Sequence, residues 1–458
     1  MMIPVVIAWY YQESEMMGFS TSLIISLLCG LLMARTKVGN KKLRLKSSIV
    51  LVVFSWLLFS LFGGLPFYFC GILSVTDSVF ETMSGFTTTG ATVIIDIEVL
   101  SRSVLFWRSF TQWLGGMGII VLSLAIMPLL GASGMVLYRS EVPGPSSDKL
   151  MPRLQATAKI LWMVYVVFTF GLAILLKIFG MGWFDAVCHS LTTLSTGGFS
   201  TKNASIAAFN SAGIEWIIIA FMFIGGANYS LHYGLFVSGN VKGFLKNREF
   251  VVYGFFIFLF TLGISFDLGL FSNTELHIRK AMFQVVSFIT TTGYVTYDYE
   301  LWGPFAQYIL FLLMFVGGCG GSTGGGIKVI RVYVTVKVAV IQIAQVLHPH
   351  AVYFIKVGKT TIKEELIGRV MGFVVLYIIL LGAASLILTF FGHDFITAFS
   401  AVAACLGNIG PGFGEVGAVD NYFMIHDTAK WVLIFCMLAG RLELFTVMVF
   451  FSRAFWQK

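Results

Sequence analysis

Four times in this chain a short apolar segment, about a dozen residues long, ends in a polar break that carries a glycine; a run that short more often re-enters a membrane than crosses it. The breaks read FTTTGATV (86–93), LSTGGFST (194–201), ITTTGYVT (289–296) and LGNIGPGF (406–413). Their central glycines, Gly90, Gly198, Gly293 and Gly410, are 108, 95 and 117 residues apart. Each interval has room for one helix descending to the cytoplasm, a loop, one rising helix and one half-helix. The pattern predicts an all-α polytopic membrane protein built from four pseudo-symmetric helix–pore loop–helix repeats around one central ion pore. The expected repeats are 47–131, 157–237, 251–345 and 366–455, preceded by an extra N-terminal helical element at 1–46.

Composition supports the membrane reading. Hydrophobic residues make up 57% and charged residues 11%, against about 25% charged in a soluble domain. Long apolar stretches fall near 19–34, 47–70, 104–131, 157–180, 213–237, 251–272, 304–345, 366–391 and 428–452. The net charge of +8 is informative through its placement: the basic stretches 35–46, 139–159, 242–248 and 328–369 mark the cytoplasmic side, and nucleic acid is not an expected partner. Cys29, Cys70, Cys188, Cys319, Cys405 and Cys436 lie in or beside apolar or glycine-rich segments without metal-ligand spacing, so no disulfide is expected. The first run, Met1–Tyr11, has no cleavage site and is too short to span, and reads as the remnant of a longer helix. Paired carboxylates, a nucleophile elbow and HExxH are all missing from the sequence, so an enzyme finds little support.

A second column reinforces the first. Small residues sit near the middle of each rising helix, in WLGGMG (113–118), IGGANYS (224–230), VGGCGGS (316–322) and LAGRLEL (438–444). Backbone that is neither helix nor closed sheet survives at membrane depth only against protein or water. Four such loops converging on one axis shield one another, and their carbonyls suit a bare monovalent cation. Each half-helix directs a partial negative charge at that axis through its C-terminal end. The candidate ion-binding residues are Thr88, Thr89 and Gly90; Thr196, Gly197 and Gly198; Thr291, Thr292 and Gly293; and Asn408, Ile409 and Gly410. Threonine hydroxyls at Thr87–Thr89 and Thr290–Thr292 offer further ligands at the inner mouth. The competing view takes each TTTG run as an ordinary helix C-cap stopped by glycine. The loops share only the glycine column, which predicts a short filter with about one strong site.

Below this level GGCGGSTGGG (317–326) should open its helix into a loop, since each glycine costs about 1 kcal/mol against alanine in a helix. Gly317, Gly318, Gly320, Gly321, Gly324, Gly325 and Gly326 thus form a candidate gate across the pore. A phosphate loop does not fit, because Gly326 leads into Ile327–Lys328 and no GKS or GKT follows. Arg441 takes the place that Met117, Ala227 and Cys319 hold in the other copies. A lone cation at that depth belongs in a water-filled cavity under the filter, and Glu443, two residues on, faces elsewhere. Glu81, Asp185, His189 and Gln284 lie in the half-helices, where they are expected to satisfy neighbouring loop backbone.

FETMSGFTTTGATV, SLTTLSTGGFST, SFITTTGYVT, GGCGGSTGGGIKVIRV, GNIGPG and QWLGGMGII together resemble the TrkH/TrkG family of bacterial potassium uptake proteins, within the Trk/Ktr/HKT superfamily. The resemblance covers the chain from about residue 18 onward. It implies potassium uptake across the bacterial inner membrane, with potassium, and no organic cofactor, held at Thr88, Thr89, Thr196, Gly197, Thr291, Thr292, Asn408 and Ile409. It also implies the filter glycines, the intramembrane gate loop at Gly317–Gly326 and the pore arginine at Arg441. A homodimer and a cytosolic nucleotide-binding ring of TrkA type are the implied partners. In plant relatives a serine at the first filter glycine goes with sodium preference, so Gly90 points to potassium; a sodium-carrying or cation-coupled symporter of the same architecture is the alternative. The basic loops 132–156 and 346–364 are read either as the docking surface of the ring or as ordinary cytoplasmic charge, and AVYFIKVGKTTI reads as a hairpin turning at Gly358–Lys359.

Overall fold

Apolar length and glycine placement decide most of the architecture. The computed structural model describes residues 1–35, 45–126, 150–236, 239, 241–270, 272–351, 353–358 and 360–457. Two N-terminal helices, α1 (Met2–Tyr11) and α2 (Met16–Ala34), precede the repeats. Repeat 1 is α3 (Leu45–Phe69), the half-helix α4 (Val75–Phe86) and α5 (Arg102–Ile126). Repeat 2 is α6 (Leu150–Ile178), the half-helix α7 (Trp183–Leu194), then α8 (Ala212–Gly226) and α9 (Tyr229–Phe236). After the short α10 (Val241–Lys246), repeat 3 runs α11 (Arg248–Asp267), the half-helix α12 (Thr274–Ile289), α13 (Pro304–Leu313) and α14 (Val329–Leu347). Repeat 4 is α15 (Glu364–Phe390), the half-helix α16 (Phe395–Gly407), α17 (Asp427–Arg441) and α18 (Leu444–Met448). Among the described residues six helices are long and apolar enough to cross a membrane, or eight if each sharply bent pair is one span.

The stretches 213–237 and 428–452, read from sequence as unbroken spans, differ from that expectation. The axis turns by 103° between α8 and α9 and by 119° between α17 and α18. Repeat 3 leaves its helix at Leu313 and resumes it at Val329. The breaks coincide with the small-residue column, where the helix meets the loops of the half-helices. A Cβ on Gly226 would overlap Thr290, and one on Gly440 would overlap the Leu406 carbonyl oxygen. The column thus keeps the rising helices close enough to touch the pore loops, and in three repeats it also ends them.

The half-helices are sheltered by protein. Every residue of α4 from Asp77 to Phe86 is buried, as is every residue of α16 from Ser400 to Gly407. Three of their outer ends are capped by side chains: Ser74 accepts from the Asp77 amide, Asn273 from Leu276, and Asp394 from Ile396 and Thr397. The N-terminal element is fastened to repeat 1 in the same way. Glu13 accepts hydrogen bonds from the amides of Arg102 (2.8 Å) and Ser103 (3.0 Å), at the start of α5, where a carboxylate is favoured. All six cysteines are free thiols. The sequence segments at 36–44 and 127–149, including most of the docking loop expected at 132–156, lie outside the described residues.

Buried charged side chains help tie the repeats to one another. Lys430 of α17 donates to Asp77 of α4 at 2.6 Å, joining repeat 4 to repeat 1. Arg108 of α5 pairs with Glu81 of α4 at 2.8 Å and donates to the Ser200 carbonyl at 3.1 Å, joining repeat 1 to the loop of repeat 2. Removing one member of a buried pair strands the other charge, which costs about 3–5 kcal/mol, while removing both is far milder. Lys430→Met should therefore lower the melting temperature of the purified protein sharply, and Asp77→Asn added to it should restore much of the loss. Equal melting of the single variant and the wild type would show that the pair does not hold the ring closed.

Candidate functional site

Each half-helix ends in the same backbone motif. The amides of Thr88, Thr196, Thr291 and Asn408 donate to the carbonyls three residues back, at 3.0, 3.0, 3.0 and 3.3 Å. The amides of Thr89, Gly197, Thr292 and Ile409 donate to the carbonyls five residues back, each at 2.8 Å. This is a Schellman cap, and it puts the residue two before each filter glycine into the left-handed region, with φ of 53°, 53°, 58° and 54°. Three of these residues are threonine, for which that conformation is a genuine outlier, of order 1–2 kcal/mol uphill. The helix is therefore stopped by Thr88, Thr196, Thr291 and Asn408. The glycines have another task.

Gly90, Gly198, Gly293 and Gly410 each make a second left-handed turn, with φ of 85°, 81°, 79° and 100°. Their Cα atoms also have no room for a side chain. A Cβ on Gly90 would overlap the carbonyl oxygen of Gly197; on Gly198, that of Thr292; on Gly293, that of Ile409. On Gly410 it would lie 2.7 Å from the carbonyl oxygen of Thr89. Repeat 1 thus abuts repeat 2, 2 abuts 3, 3 abuts 4, and 4 returns to 1. The four breaks form one closed ring, and the residue before each glycine supplies the carbonyl that its neighbour packs against. The structure brings all twelve sequence-selected filter residues into this ring.

Their side chains take different parts. The Thr89 hydroxyl bonds the Thr87 hydroxyl at 2.7 Å, and Thr292 bonds Thr290 likewise; these hydroxyls turn back onto their own half-helices. At the left-handed cap the Thr196 hydroxyl donates to the Ser195 carbonyl (2.6 Å), and the Thr291 hydroxyl accepts from the Gly325 amide (2.6 Å). The Asn408 amide donates to Thr89 Oγ1 and to the Met437 carbonyl, both at 3.0 Å. Thr88 Oγ1 and Asn408 Oδ1 are buried without a hydrogen-bond partner among the described residues. Two oxygens at the inner side of the ring are thus left able to accept from, or coordinate, something else.

The glycine-rich segment leaves α13, pairs its ends as two short parallel strands, β1 (Val316–Gly317) and β2 (Ile327–Lys328), and lies directly beneath the ring. Thr323 donates its hydroxyl to the carbonyls of Leu194 (3.0 Å) and Gly225 (3.1 Å). The Cys319 amide donates to the Gly226 carbonyl, Gly320 to Glu249 Oε1, and the Gly321 carbonyl accepts from Tyr229. Gly318 and Gly324 press on the carbonyls of Gly226 and Thr290, Gly325 on that of Gly407, and Gly326 turns at φ 64° before β2. Lys328 donates to the Gly324 carbonyl. Arg441 crosses from repeat 4: Nη1 donates to the Thr323 carbonyl (2.5 Å) and Nη2 to the Gly115 carbonyl of repeat 1 (3.3 Å). It is 3% exposed and forms no ion pair among the described residues. Glu443 instead pairs with Arg331 of α14. The loop and the arginine together touch all four repeats.

The half-helix polar residues hold loop backbone or loop side chains. Glu81 accepts from the Val93 amide (3.0 Å), Asp185 from the Thr201 hydroxyl (2.6 Å), His189 Nε2 meets Ser200 Oγ (3.0 Å), and Gln284 donates to the Tyr297 carbonyl (3.1 Å). Sequence reasoning passed over Gln112, Arg108 and Tyr422. Tyr422 donates to the carbonyl of ring residue Gly410 at 2.7 Å. The available signal was a lone amide and a lone guanidinium inside an apolar rising helix.

If the ring is as tight as its contacts indicate, Gly293→Ala, which meets the Ile409 carbonyl and strains φ together, should cut cation flux into liposomes by about tenfold or more, an effect of 1.4 kcal/mol. Wild-type flux in that variant would contradict the ring.

Comparison with known proteins follows the same lines. The sequence model of the TrkH family, described as cation transport protein, matches residues 14–265 and 249–458. The chain is 41% identical to the Trk system potassium uptake protein TrkH of Halomonas elongata, over 100% of this chain and 96% of that one. It is 40% identical to the protein of the same name from Escherichia coli, with the same coverage. The crystal structure of the potassium transporter TrkH from Vibrio parahaemolyticus superposes with a TM-score of 0.91 at 37% identity, covering 100% of this chain and 96% of that one.

Proposed function

Because the chain belongs to the TrkH family of cation transport proteins, and is thereby a multi-pass protein of the bacterial inner membrane, we propose that it takes up potassium through the ring of four pore loops. The observation that carries this reading is the closed circuit of glycine-to-carbonyl packing from Gly90 through Gly198 and Gly293 to Gly410. A ring of backbone at membrane depth, with four half-helix C-termini aimed at it, favours a dehydrated monovalent cation and disfavours an anion. Thr88, Thr89, Thr196, Gly197, Thr291, Thr292, Asn408 and Ile409 contribute its ligands in this reading. Potassium as the cargo is supported by the relatives, which are named potassium uptake proteins.

The same reading makes the loop 317–326 a gate and Arg441 its staple. A guanidinium under the ring repels a cation waiting there, and its bonds to Thr323 and Gly115 keep the loop across the path. The gate has a rigid handle. β2 leads straight into α14, and the hairpin β3 (Lys356–Val357) and β4 (Thr360–Thr361) that follows packs back against the middle of that helix. Ile355 and Ile362 of that hairpin pack with Val334, Val338, Leu366 and Val370, so a force on the hairpin reaches the loop through one helix. This supports the hairpin, within 346–364, as a docking point for a cytosolic nucleotide-binding ring. A multi-subunit system is in keeping with relatives named as parts of a Trk system, and a homodimer at its centre is part of the same proposal.

Growth of a potassium-uptake-deficient bacterium at low external potassium, together with rubidium and sodium uptake by the purified protein in liposomes, tests the function. Rescue and rubidium uptake far above sodium are expected; equal or greater sodium uptake would make this a sodium-carrying relative of the same architecture. Gly90→Ser should relax discrimination against sodium. Deleting 320–325 should raise flux, and an unchanged rate would remove the gate assignment.

A further inference from the structure

Gln112 stands apart from the filter, yet both ends of its amide grip it. The residue is fully buried in α5 of repeat 1. Its Nε2 donates to the Gly197 carbonyl at 2.6 Å, and its Oε1 accepts from the Phe199 amide at 3.0 Å. A carbonyl only accepts and a backbone N–H only donates, so the two bonds fix the orientation of the side-chain amide. They fall on either side of Gly198, the filter glycine of repeat 2.

This contact also explains why repeat 2 departs from the threonine pattern. A Cβ on Gly197 would overlap the Gln112 amide. In repeats 1 and 3 the corresponding Thr89 and Thr292 brace the loop with their own hydroxyls. In repeat 2 the brace arrives from the neighbouring repeat. With the rising helices aligned on their small residues, the equivalent places hold Met222, Met314 and Cys436, all buried and none able to clamp an amide and a carbonyl together. Gln112 is therefore particular to one quadrant of the ring.

Resting on the reading of the ring as the selectivity filter, we propose that Gln112 is a specificity-determining positioning residue, which sets discrimination between potassium-sized and smaller alkali cations by holding the Gly197 carbonyl in place. The Gly197 carbonyl is also the one that Gly90 packs against, so the amide fixes the spacing between two quadrants. Without the donor, the peptide after Gly197 is free to tilt and the ring contracts around a smaller ion. Removing one hydrogen bond of this kind corresponds to about a three- to tenfold change in preference.

The test uses the purified full-length chain in liposomes, with rubidium and sodium uptake measured side by side. Gln112→Glu keeps the size and the acceptor for Phe199 but loses the donor; Gln112→Met installs the residue that Met222 and Met314 show the same register accepts. Both should lower the rubidium-to-sodium uptake ratio about three- to tenfold, mainly through increased sodium uptake. An unchanged ratio in both overturns the proposal and leaves Gln112 a packing residue. Should either variant pass no ions, the difference in melting temperature between potassium and sodium buffers decides: its loss supports the assignment, and a difference as large as in the wild type overturns it. Gly90→Ser, measured alongside, separates the two ideas. If it alters the ratio while the Gln112 variants do not, only the Gln112 proposal fails; if it too leaves the ratio unchanged, the filter reading itself fails.

Discussion

Everything in this molecule is organised by backbone that has been taken out of both helix and water. At the ring, the residue before each glycine has spent its amide on a helix cap, and its carbonyl oxygen lies against the α-carbon of the neighbouring copy. Such groups are tolerated inside a membrane only when protein or a hydrated path surrounds them. The buried half-helices, the small-residue column and the buried Lys430–Asp77 pair between repeats 4 and 1 all serve that shielding. Large side chains at Gly115, Gly226 or Gly440 would force the rising helices away from loops they now touch.

Much of this was written in the sequence. The four glycines and their spacing gave the fold because glycine is required wherever a left-handed turn and close approach coincide. The opening of the third rising helix followed from glycine density alone. Other features were hidden. Nothing local distinguishes α8 and α17 from continuous spans, because the break is imposed by packing against the pore loops; hydropathy reads length and not direction. The stop signal was also misassigned between the two views of the TTTG runs. These runs are indeed helix caps, but the left-handed cap is Asn408 in repeat 4 and a threonine, seldom found there, in the others (Thr88, Thr196, Thr291), while the glycine serves the neighbour.

Fourfold likeness of the backbone hides unlike side chains. Among the described residues, the cap residue has an unpartnered hydroxyl in repeat 1, a self-satisfied one in repeat 2, one engaged by the glycine-rich loop in repeat 3 and an amide in repeat 4. The Gly410 carbonyl is held by Tyr422 and the Gly197 carbonyl by Gln112. Four quadrants carried on one chain can differ separately, which four identical subunits cannot. The loop beneath the ring exploits this: it grows from one repeat only, and only one repeat supplies the arginine that meets it.

The bond between Asp77 and Lys430 joins residues 353 positions apart. During synthesis at about 5–20 residues per second, the first half-helix waits some tens of seconds before its ionic partner leaves the ribosome. In that interval α4 can pack on α3 and α5 of its own repeat, but the Asp77 carboxylate still lacks its lysine. The last quarter of the polypeptide, on arriving, neutralises that carboxylate and completes the circuit by laying Gly410 against the Thr89 carbonyl.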